Sequence, residues 1–284
     1  MTDAENKVAI QGEIGANSDM ACREVFPDKQ CLPCKSFEDA FTAVHDGAAN
    51  YALLPIDNTV AGRVADIHHL LPDSGLKIIG EYFHPVHHHL LAVPGTDIEQ
   101  LTHVHSHIHA LSQCRKLIRE LGVTPMVHAD TAGAAAEIAQ NDDPTQGAIA
   151  SQLAGEIYHL DSLRANVEDA QHNTTRFLVM SRSGLEIGPD DGDMMTSFVF
   201  RVRNVPAALY KSMGGFATNG VNMTKLESYL VDGGFVAVQF YAEVEGHPEQ
   251  RPVVLAFEEL AFFSDEVRIL GTYPQGVFRK KSPH

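Results

Sequence analysis

Apolar positions along the chain switch repeatedly between runs, alternation and a helical spacing. Lys7-Val8-Ala9-Ile10-Gln11-Gly12 reads as a strand ending in glycine, and Gly15 to Phe26 follows as a helix. Ser36 then caps a second helix, with Asp39 at the capping-box position and Phe37, Ala40, Phe41 and Val44 at i, i+3, i+4 and i+7. Tyr51 to Pro55 is an apolar run of the kind buried on both faces of a sheet. The alternation continues with strands at Lys77–Gly80 and His88–Val93, then a helix from Ser106 to Leu121 stopped by Gly122. Strand Met126–His128, helix Thr131–Ala139 and strand Gly147–Ala150 follow, and Phe177 to Ser181 is the last strand of this half. Strand–helix alternation predicts an α/β fold with mostly parallel sheets.

The pattern breaks between Ser183 and Met195, where Gly184, Gly188, Pro189, Asp190, Asp191, Gly192 and Asp193 have the make-up of an exposed linker. Beyond it, Thr196 to Arg203 alternates as a strand. Pro206 opens a helix with Leu209, Met213 and Phe216 on one face, ended by Gly220. Val221–Val231 and Phe235–Glu243 read as strands joined by the turn Asp232-Gly233-Gly234. A helix carrying Val253, Phe257 and Leu260 precedes a strand at Val267–Leu270. The order βαββαβ is that of a ferredoxin-like split unit. The expected division is therefore residues 1–182, a linker at 183–195, and 196–284.

At 284 residues, 44% apolar and 20% charged, the chain has the composition of a folded protein of roughly two domains. Asp and Glu total 37 against 21 Lys and Arg, a formal charge of -16, which argues against nucleic acid and anionic membranes as partners. No apolar run reaches the roughly 18 residues of a membrane helix, and the first residues lack a signal-peptide core, so the expectation is a cytoplasmic protein with reduced thiols. Cys31-Leu32-Pro33-Cys34 has redox spacing, but Lys35-Ser36 separate it from the helix start such motifs need. Eight of the 16 histidines cluster at 84–89 and 103–109 without an acidic or thiol partner at metal spacing, and no glycine-rich phosphate fingerprint is present. Neither a metal nor a cofactor is expected.

Three segments carry the candidate chemistry. Asn173-Thr174-Thr175-Arg176-Phe177 places an amide, hydroxyls and a guanidinium where a turn enters a strand. Arg176 is either a clamp for a carboxylate or half of a structural ion pair. Leu54 to Val64 ends a strand in the polar residues Asp57, Asn58 and Thr59. Ser106 opens a helix that carries Gln113, as its N-cap, as a donor beside an anion, or as both.

In this order the three segments resemble the prephenate dehydratase family, over nearly the whole chain. Thr175-Arg176-Phe177 matches that family's motif fully. Asp57-Asn58-Thr59 stands where Glu-Asn-Ser is usual, and Ser106-His107-Ile108-His109 stands for Ser-His-Pro-Gln. Gly15-Ala16-Asn17-Ser18-Asp19 is a looser match to Gly-Thr-Tyr-Ser-Glu, and His88 follows Glu81 to Val86 as a family position does, with a structural role near the hinge as the expectation. The resemblance implies a two-lobed catalytic part with its site in a cleft, and dehydration with decarboxylation of prephenate to phenylpyruvate. It implies Thr175, Asn58, Ser106 and Gln113 as catalytic residues, with Arg176, Phe177, Asp57 and Thr59 binding substrate.

The C-terminal unit resembles the ACT domain, through Pro206 to Lys211 and Asn219 to Ser228. Ala207 replaces a glycine usual in that family, and Tyr229-Leu230 replace Arg-Pro. The resemblance implies L-phenylalanine as effector near Ala207, Leu209, Asn222, Glu227 and Ser228, and a homodimer or homotetramer. Two alternatives stay open: arogenate as the substrate, and a non-catalytic sensor of amino or keto acids.

Overall fold

A computed structural model describes residues 6–170, 172–203, 205–230 and 237–281. The chain divides into two compact units, residues 1–67 with 82–177, and residues 68–81 with 178–284. Elements are numbered in chain order. They begin with β1 (Lys7–Gln11), α1 (Asn17–Val25), β2 (Gln30–Cys34), α2 (Phe37–His45), β3 (Tyr51–Asn58), β4 (Gly62–Arg63), α3 (Ala65–Leu70) and β5 (Lys77–Pro85). Next come β6 (His89–Ala92), β7 (His103–His107), α4 (Ile108–Gln113), α5 (Arg115–Leu121), β8 (Thr124–His128), α6 (Thr131–Asn141), β9 (Gln146–Ala150), α7 (Gln152–Tyr158), β10 (Asp161–Arg164) and β11 (Thr174–Ser181).

One sheet runs β2-β1-β3-β11-β5 with β4 beside β3, and a second runs β10-β6-β9-β7-β8. In the first, β1 is parallel to both β2 and β3. Ala52, Leu53, Leu54 and Ile56 of β3 are fully buried, as a strand covered on both faces requires. The second sheet is mixed rather than mostly parallel: β7 is parallel to β8 and β9, whereas β6 is antiparallel to β9 and to β10. Strand β6 enters this sheet from β5 of the first one through Val86-His87-His88, and it runs opposite to its two neighbours β9 and β10. Strands β2 and β10 were not expected from the sequence. Pro33 is tolerated in β2 because that strand is the sheet edge.

The second unit holds β12 (Met194–Val202), α8 (Ala208–Thr218), β13 (Met223–Leu230), β14 (Ala237–Glu245), α9 (Arg251–Phe263), β15 (Ser264–Pro274) and α10 (Val277–Lys281). Its βαββαβ order and its sheet β13-β14-β12-β15 are those of the ferredoxin-like unit. The expected turn at Asp232-Gly233-Gly234 lies outside the described residues. Phe198 stacks on Phe216 at 5.8 Å and meets Phe257 edge-on at 4.8 Å, filling the space between sheet and helices. Helices α8 and α9 approach closely at Gly215, where a Cβ would come within 2.7 Å of the Glu259 Cβ.

The other face of this sheet carries Ser197, Tyr241, Glu243 and Tyr273, and it is buried too. Residues 68–81 help cover it. His68 Nδ1 is 3.0 Å from the Tyr229 hydroxyl, Lys77 Nζ donates to the Ile269 carbonyl, and Ile78 is fully buried. The compact unit thus begins at Leu178 and recruits 68–81, whereas composition alone placed a linker at 183–195. No helix among the described residues is long and apolar enough to cross a membrane.

Candidate active site

The first unit contains a cavity of about 580 Å³. It opens where strands end and helices begin: Gln11 closes β1, Asn58 closes β3, and His107 closes β7. Asn17 and Ser18 of α1, Phe37 of α2 and Thr131 of α6 bring first-turn residues of three helices to its wall. N–H groups at such helix starts favour an anion. Arg63 on β4 adds a fixed positive charge to the lining. The sequence had singled out no role for Arg63, although it follows Asn58 by one tight turn.

Strand β11 starts three residues earlier than its apolar run, so Thr175 and Arg176 lie in a strand and not in the turn before it. Alternation along the strand then separates them. Thr175 and Phe177 line the cavity. Arg176 points elsewhere; it is 6% exposed, 3.6 Å from Asp57 and with its guanidinium over the Phe83 ring. Arg176 thus makes the ion pair that was one of its two readings, with Asp57 as partner, and neither residue is in the cavity lining. Thr59 also lies outside the lining: its hydroxyl donates to the His172 carbonyl at 2.6 Å and accepts from Thr174 N–H at 2.9 Å. That pair ties the β3 end to the start of β11.

Asn58 is the hinge of a line of amides. Its Oδ1 accepts from Val60 N–H at 2.9 Å and Ala61 N–H at 2.7 Å. Its Nδ2 donates to Thr175 Oγ1 at 2.9 Å and to Asn173 Oδ1 at 2.8 Å. Asn173 Nδ2 in turn donates to Gln113 Oε1 at 2.9 Å, and His88 Nε2 meets the same oxygen at 3.0 Å. Thr175 Oγ1 accepts from Asn58, so its own hydrogen is left to be donated.

Ser106 and Gln113 do not lie on one helix. Ser106 is in β7, fully buried, and its hydroxyl donates to the Ile149 carbonyl of β9 at 2.5 Å. The expected N-cap is corrected: strand pairing extends one residue past Ser106, and His107 caps α4, its Nδ1 accepting from His109 N–H. The expected single helix also breaks at Cys114. There the Asp169 N–H donates to Gln113 O at 2.6 Å, and the Asp169 carboxylate accepts from Arg115 and Lys116 N–H. A loop distant in sequence ends one helix and caps the next, and this turns the Gln113 side chain into the amide line.

Burial pushes His88 and His107 below the ordinary histidine range, so both rings are neutral near pH 7. Glu168 accepts from His88 N–H at 2.9 Å and from the His87 ring. Burial opposes its ionisation, but these donors outweigh burial and hold the carboxyl below its usual range. The alternating His103, His105 and His107 share a strand after all, yet His105 bonds Gln146 and His103 bonds Thr102. Among the described residues no three His, Cys, Asp or Glu side chains are arranged to hold a metal ion. Cys31 and Cys34 lie on β2 rather than at a helix start, and burial pushes the Cys34 thiol up, which makes it a poor nucleophile.

The five residues expected to hold an effector belong to the second unit. Ala207 is the N-cap of α8 with φ +60, and Leu209 packs against the apolar core. Asn222 is exposed before β13, on which Glu227 lies 3.6 Å from Lys225 and Ser228 is exposed.

Comparison with known proteins gives a consistent result. The family model described as Prephenate dehydratase matches residues 8–184. The Komagataeibacter europaeus protein named bifunctional N-acyl-homoserine lactone acylase/prephenate dehydratase is 49% identical over 279 residues, 98% of this chain and 99% of that relative. Arogenate dehydratase/prephenate dehydratase 1, chloroplastic, of Arabidopsis thaliana is 35% identical over 291 residues, covering 98% of this chain and 74% of the relative. The crystal structure of prephenate dehydratase in complex with L-Phe from Arthrobacter aurescens superposes with a TM-score of 0.88 at 27% identity, covering 98% of this chain and 92% of that one.

Proposed function

Because the chain belongs to the prephenate dehydratase family, we propose that its cavity converts prephenate to phenylpyruvate, water and carbon dioxide. The bond from ring C1 to its carboxylate breaks, and that electron pair aromatises the ring. The C4–O bond breaks, and the departing oxygen takes up a proton to leave as water. The observation that carries this reading is Thr175, whose Oγ1 accepts from an Asn58 amide fixed by two backbone N–H groups. Its hydrogen is thereby directed at the departing oxygen, where it hydrogen-bonds as charge moves or relays a proton.

Asn58 and Gln113 orient the donor side of the site through Asn173. Phe177 offers an apolar wall to the ring. Arg63 and the helix starts at Asn17 and Thr131 receive the two carboxylates, which answers how a protein of charge -16 attracts a dianion. Ser106 acts at one remove, by fixing β7 against β9. The acylase activity in the Komagataeibacter relative's name calls for a nucleophile beside a base. Among the described residues, no hydroxyl lining the cavity is hydrogen-bonded to a histidine.

The test is the ultraviolet absorbance of phenylpyruvate formed from prephenate. Wild-type protein should form it, and folded Thr175→Ala should lose roughly two to four orders of magnitude in turnover while Thr175→Ser keeps much of it. Near-normal turnover in Thr175→Ala removes that residue from the mechanism. Arogenate is the alternative substrate, favoured by the name of the Arabidopsis relative, and parallel assays of the two decide the preference.

We further propose feedback inhibition by L-phenylalanine through the second unit, assembled as a homodimer or homotetramer. The Arthrobacter complex with L-Phe supports L-phenylalanine as the ligand. Ala207, Leu209 and Asn222 would lie nearest the ligand, with Glu227 and Ser228 on the adjoining strand. Coupling of roughly 1–3 kcal/mol is the ordinary scale of such regulation. Inhibition curves with and without Asn222→Ala test it, and absence of binding at millimolar phenylalanine would refute it.

A further inference from the structure

Two buried polar atoms on residues that line the cavity have no hydrogen-bond partner among the described residues, Asn17 Oδ1 and His88 Nδ1. His88 lines the cavity, is 3% exposed, and commits Nε2 to Gln113 at 3.0 Å. Among the described residues nothing hydrogen-bonds to its buried Nδ1. Which nitrogen carries the proton follows from the line of amides. The Val60 and Ala61 N–H groups can only donate, so the Asn58 atom they meet is its oxygen. The Asn58 nitrogen must then donate to Asn173 Oδ1, and Asn173 Nδ2 must donate to Gln113 Oε1. An oxygen facing His88 obliges Nε2 to hold the ring proton. Nδ1 is left as a bare lone pair. The same two backbone groups that aim the Thr175 hydrogen therefore also set the His88 tautomer, at the opposite end of the line.

We propose that His88 is a substrate-positioning residue whose Nδ1 accepts a hydrogen bond from the ring hydroxyl of the substrate, an inference that rests on the dehydratase reading. A prephenate dianion presents two carboxylates, a ketone and one hydroxyl, and only the hydroxyl can donate. At any other group of that substrate, Nδ1 would face lone pairs. Drawing the hydroxyl hydrogen to Nδ1 leaves the oxygen lone pairs for the Thr175 donor. As the C4–O bond breaks and the oxygen takes up a proton, the departing water is a stronger donor than the original hydroxyl. The contact with Nδ1 therefore strengthens toward the transition state, and its loss should appear in kcat. Burial, which holds the ring neutral, keeps Nδ1 available as an acceptor at neutral pH.

Two variants separate this role from mere support of Gln113. His88→Gln keeps an N–H at the position of Nε2 and removes the acceptor at Nδ1. His88→Asn places an amide oxygen near Nδ1 but cannot reach Gln113. Steady-state kinetics with prephenate and with arogenate, beside thermal melts, form the experiment. The expected result is that His88→Gln melts near wild type yet loses roughly tenfold or more in kcat, with KM little changed. His88→Asn should melt lower but keep more turnover, and the loss in His88→Gln should be equal on the two substrates. Full activity in His88→Gln with an inactive His88→Asn would mean that the ring only holds Gln113, and would overturn the inference. A loss confined to arogenate would assign Nδ1 to the amino group and overturn it too. Wild-type protein inactive on both substrates would sink the dehydratase reading and this inference with it, whereas active wild type with unimpaired His88→Gln sinks the inference alone.

Discussion

Asn58→Asp exchanges one NH₂ for an oxygen and leaves the shape of the side chain unchanged. The new carboxylate keeps its bonds to Val60 and Ala61 N–H. Its other oxygen, however, faces Asn173 Oδ1 at 2.8 Å and Thr175 Oγ1 at 2.9 Å, where a donor had been. Asn173 can answer by turning its amide over, which restores one bond and passes the reversal on to Gln113. Thr175 can answer only by turning its hydrogen onto the carboxylate, away from the substrate. A hydrogen bond to a charged group is worth roughly 1.5–3 kcal/mol. Re-aiming Thr175 against that bond costs about 10- to 150-fold in turnover at 1.4 kcal/mol per tenfold. Stability should fall by a comparable amount, about 1–3 kcal/mol before the amides readjust. The assay is phenylpyruvate formation by the purified variant, with a thermal melt to show that it is folded. The double variant with Thr175→Ala supplies the decisive comparison, since two changes acting through one hydroxyl are not additive. It should be no slower than Thr175→Ala alone. Turnover of Asn58→Asp within about threefold of wild type, ~0.7 kcal/mol, would refute the aimed hydroxyl, and fully additive losses would show that Asn58 acts by another route.

Three further outcomes are expected. Ala207 has φ +60, where an L side chain costs about 1–2 kcal/mol and glycine costs backbone entropy of about 0.5–1 kcal/mol instead. Ala207→Gly should therefore melt higher, and a lower or equal midpoint in thermal denaturation would contradict the strain. Arg279 of α10 binds Glu81 through Nε at 2.7 Å and Nη2 at 3.0 Å, and Nη2 also reaches Glu243 at 3.0 Å. Both of those carboxylates have fully buried side chains. Arg279→Met should cost roughly 3–5 kcal/mol by chemical denaturation, and a loss below ~1 kcal/mol would refute the shared pair. His84, His88, His89 and His107 all have pKa values lowered by burial, so below pH ~6.5 the unfolded chain binds protons that the folded one does not. Stability should hold above that pH and decline as pH falls from 6.5 toward 5; a midpoint that stays flat over this interval would contradict burial of neutral rings.

Much of the fold was legible because local pattern and burial coincide. The apolar run Tyr51-Ala52-Leu53-Leu54 becomes a strand buried on both faces, and Phe37, Ala40, Phe41 and Val44 become the buried stripe of α2. The βαββαβ order after Met194 follows from alternation, a helical stripe and the glycine turns between them. Thr175, Asn58 and Gln113 were likewise named from the sequence, and the fold brings them into one hydrogen-bonded line.

Other features had no local signal. Residues 68–81 join the second unit because its sheet has two faces and only one is covered by its own helices; nothing within 68–81 states that destination. The break at Cys114 carries no glycine or proline. It exists because Asp169, fifty-odd positions later, bonds to Gln113 O and to Arg115 and Lys116 N–H. Ser106 looked like a cap because its residue type favours that role, yet sheet pairing carries β7 past it. Arg176 and Thr175 are neighbours in sequence and opposites in space, since a strand sends successive side chains to opposite faces. The sequence by itself determined most of the elements, because that choice rests largely on residues a few positions apart; β2, β10 and the break at Cys114 needed partners from elsewhere in the chain. The tertiary structure alone decided which face of each element meets the cavity, because that depends on hydrogen bonds and packing between segments a hundred residues apart.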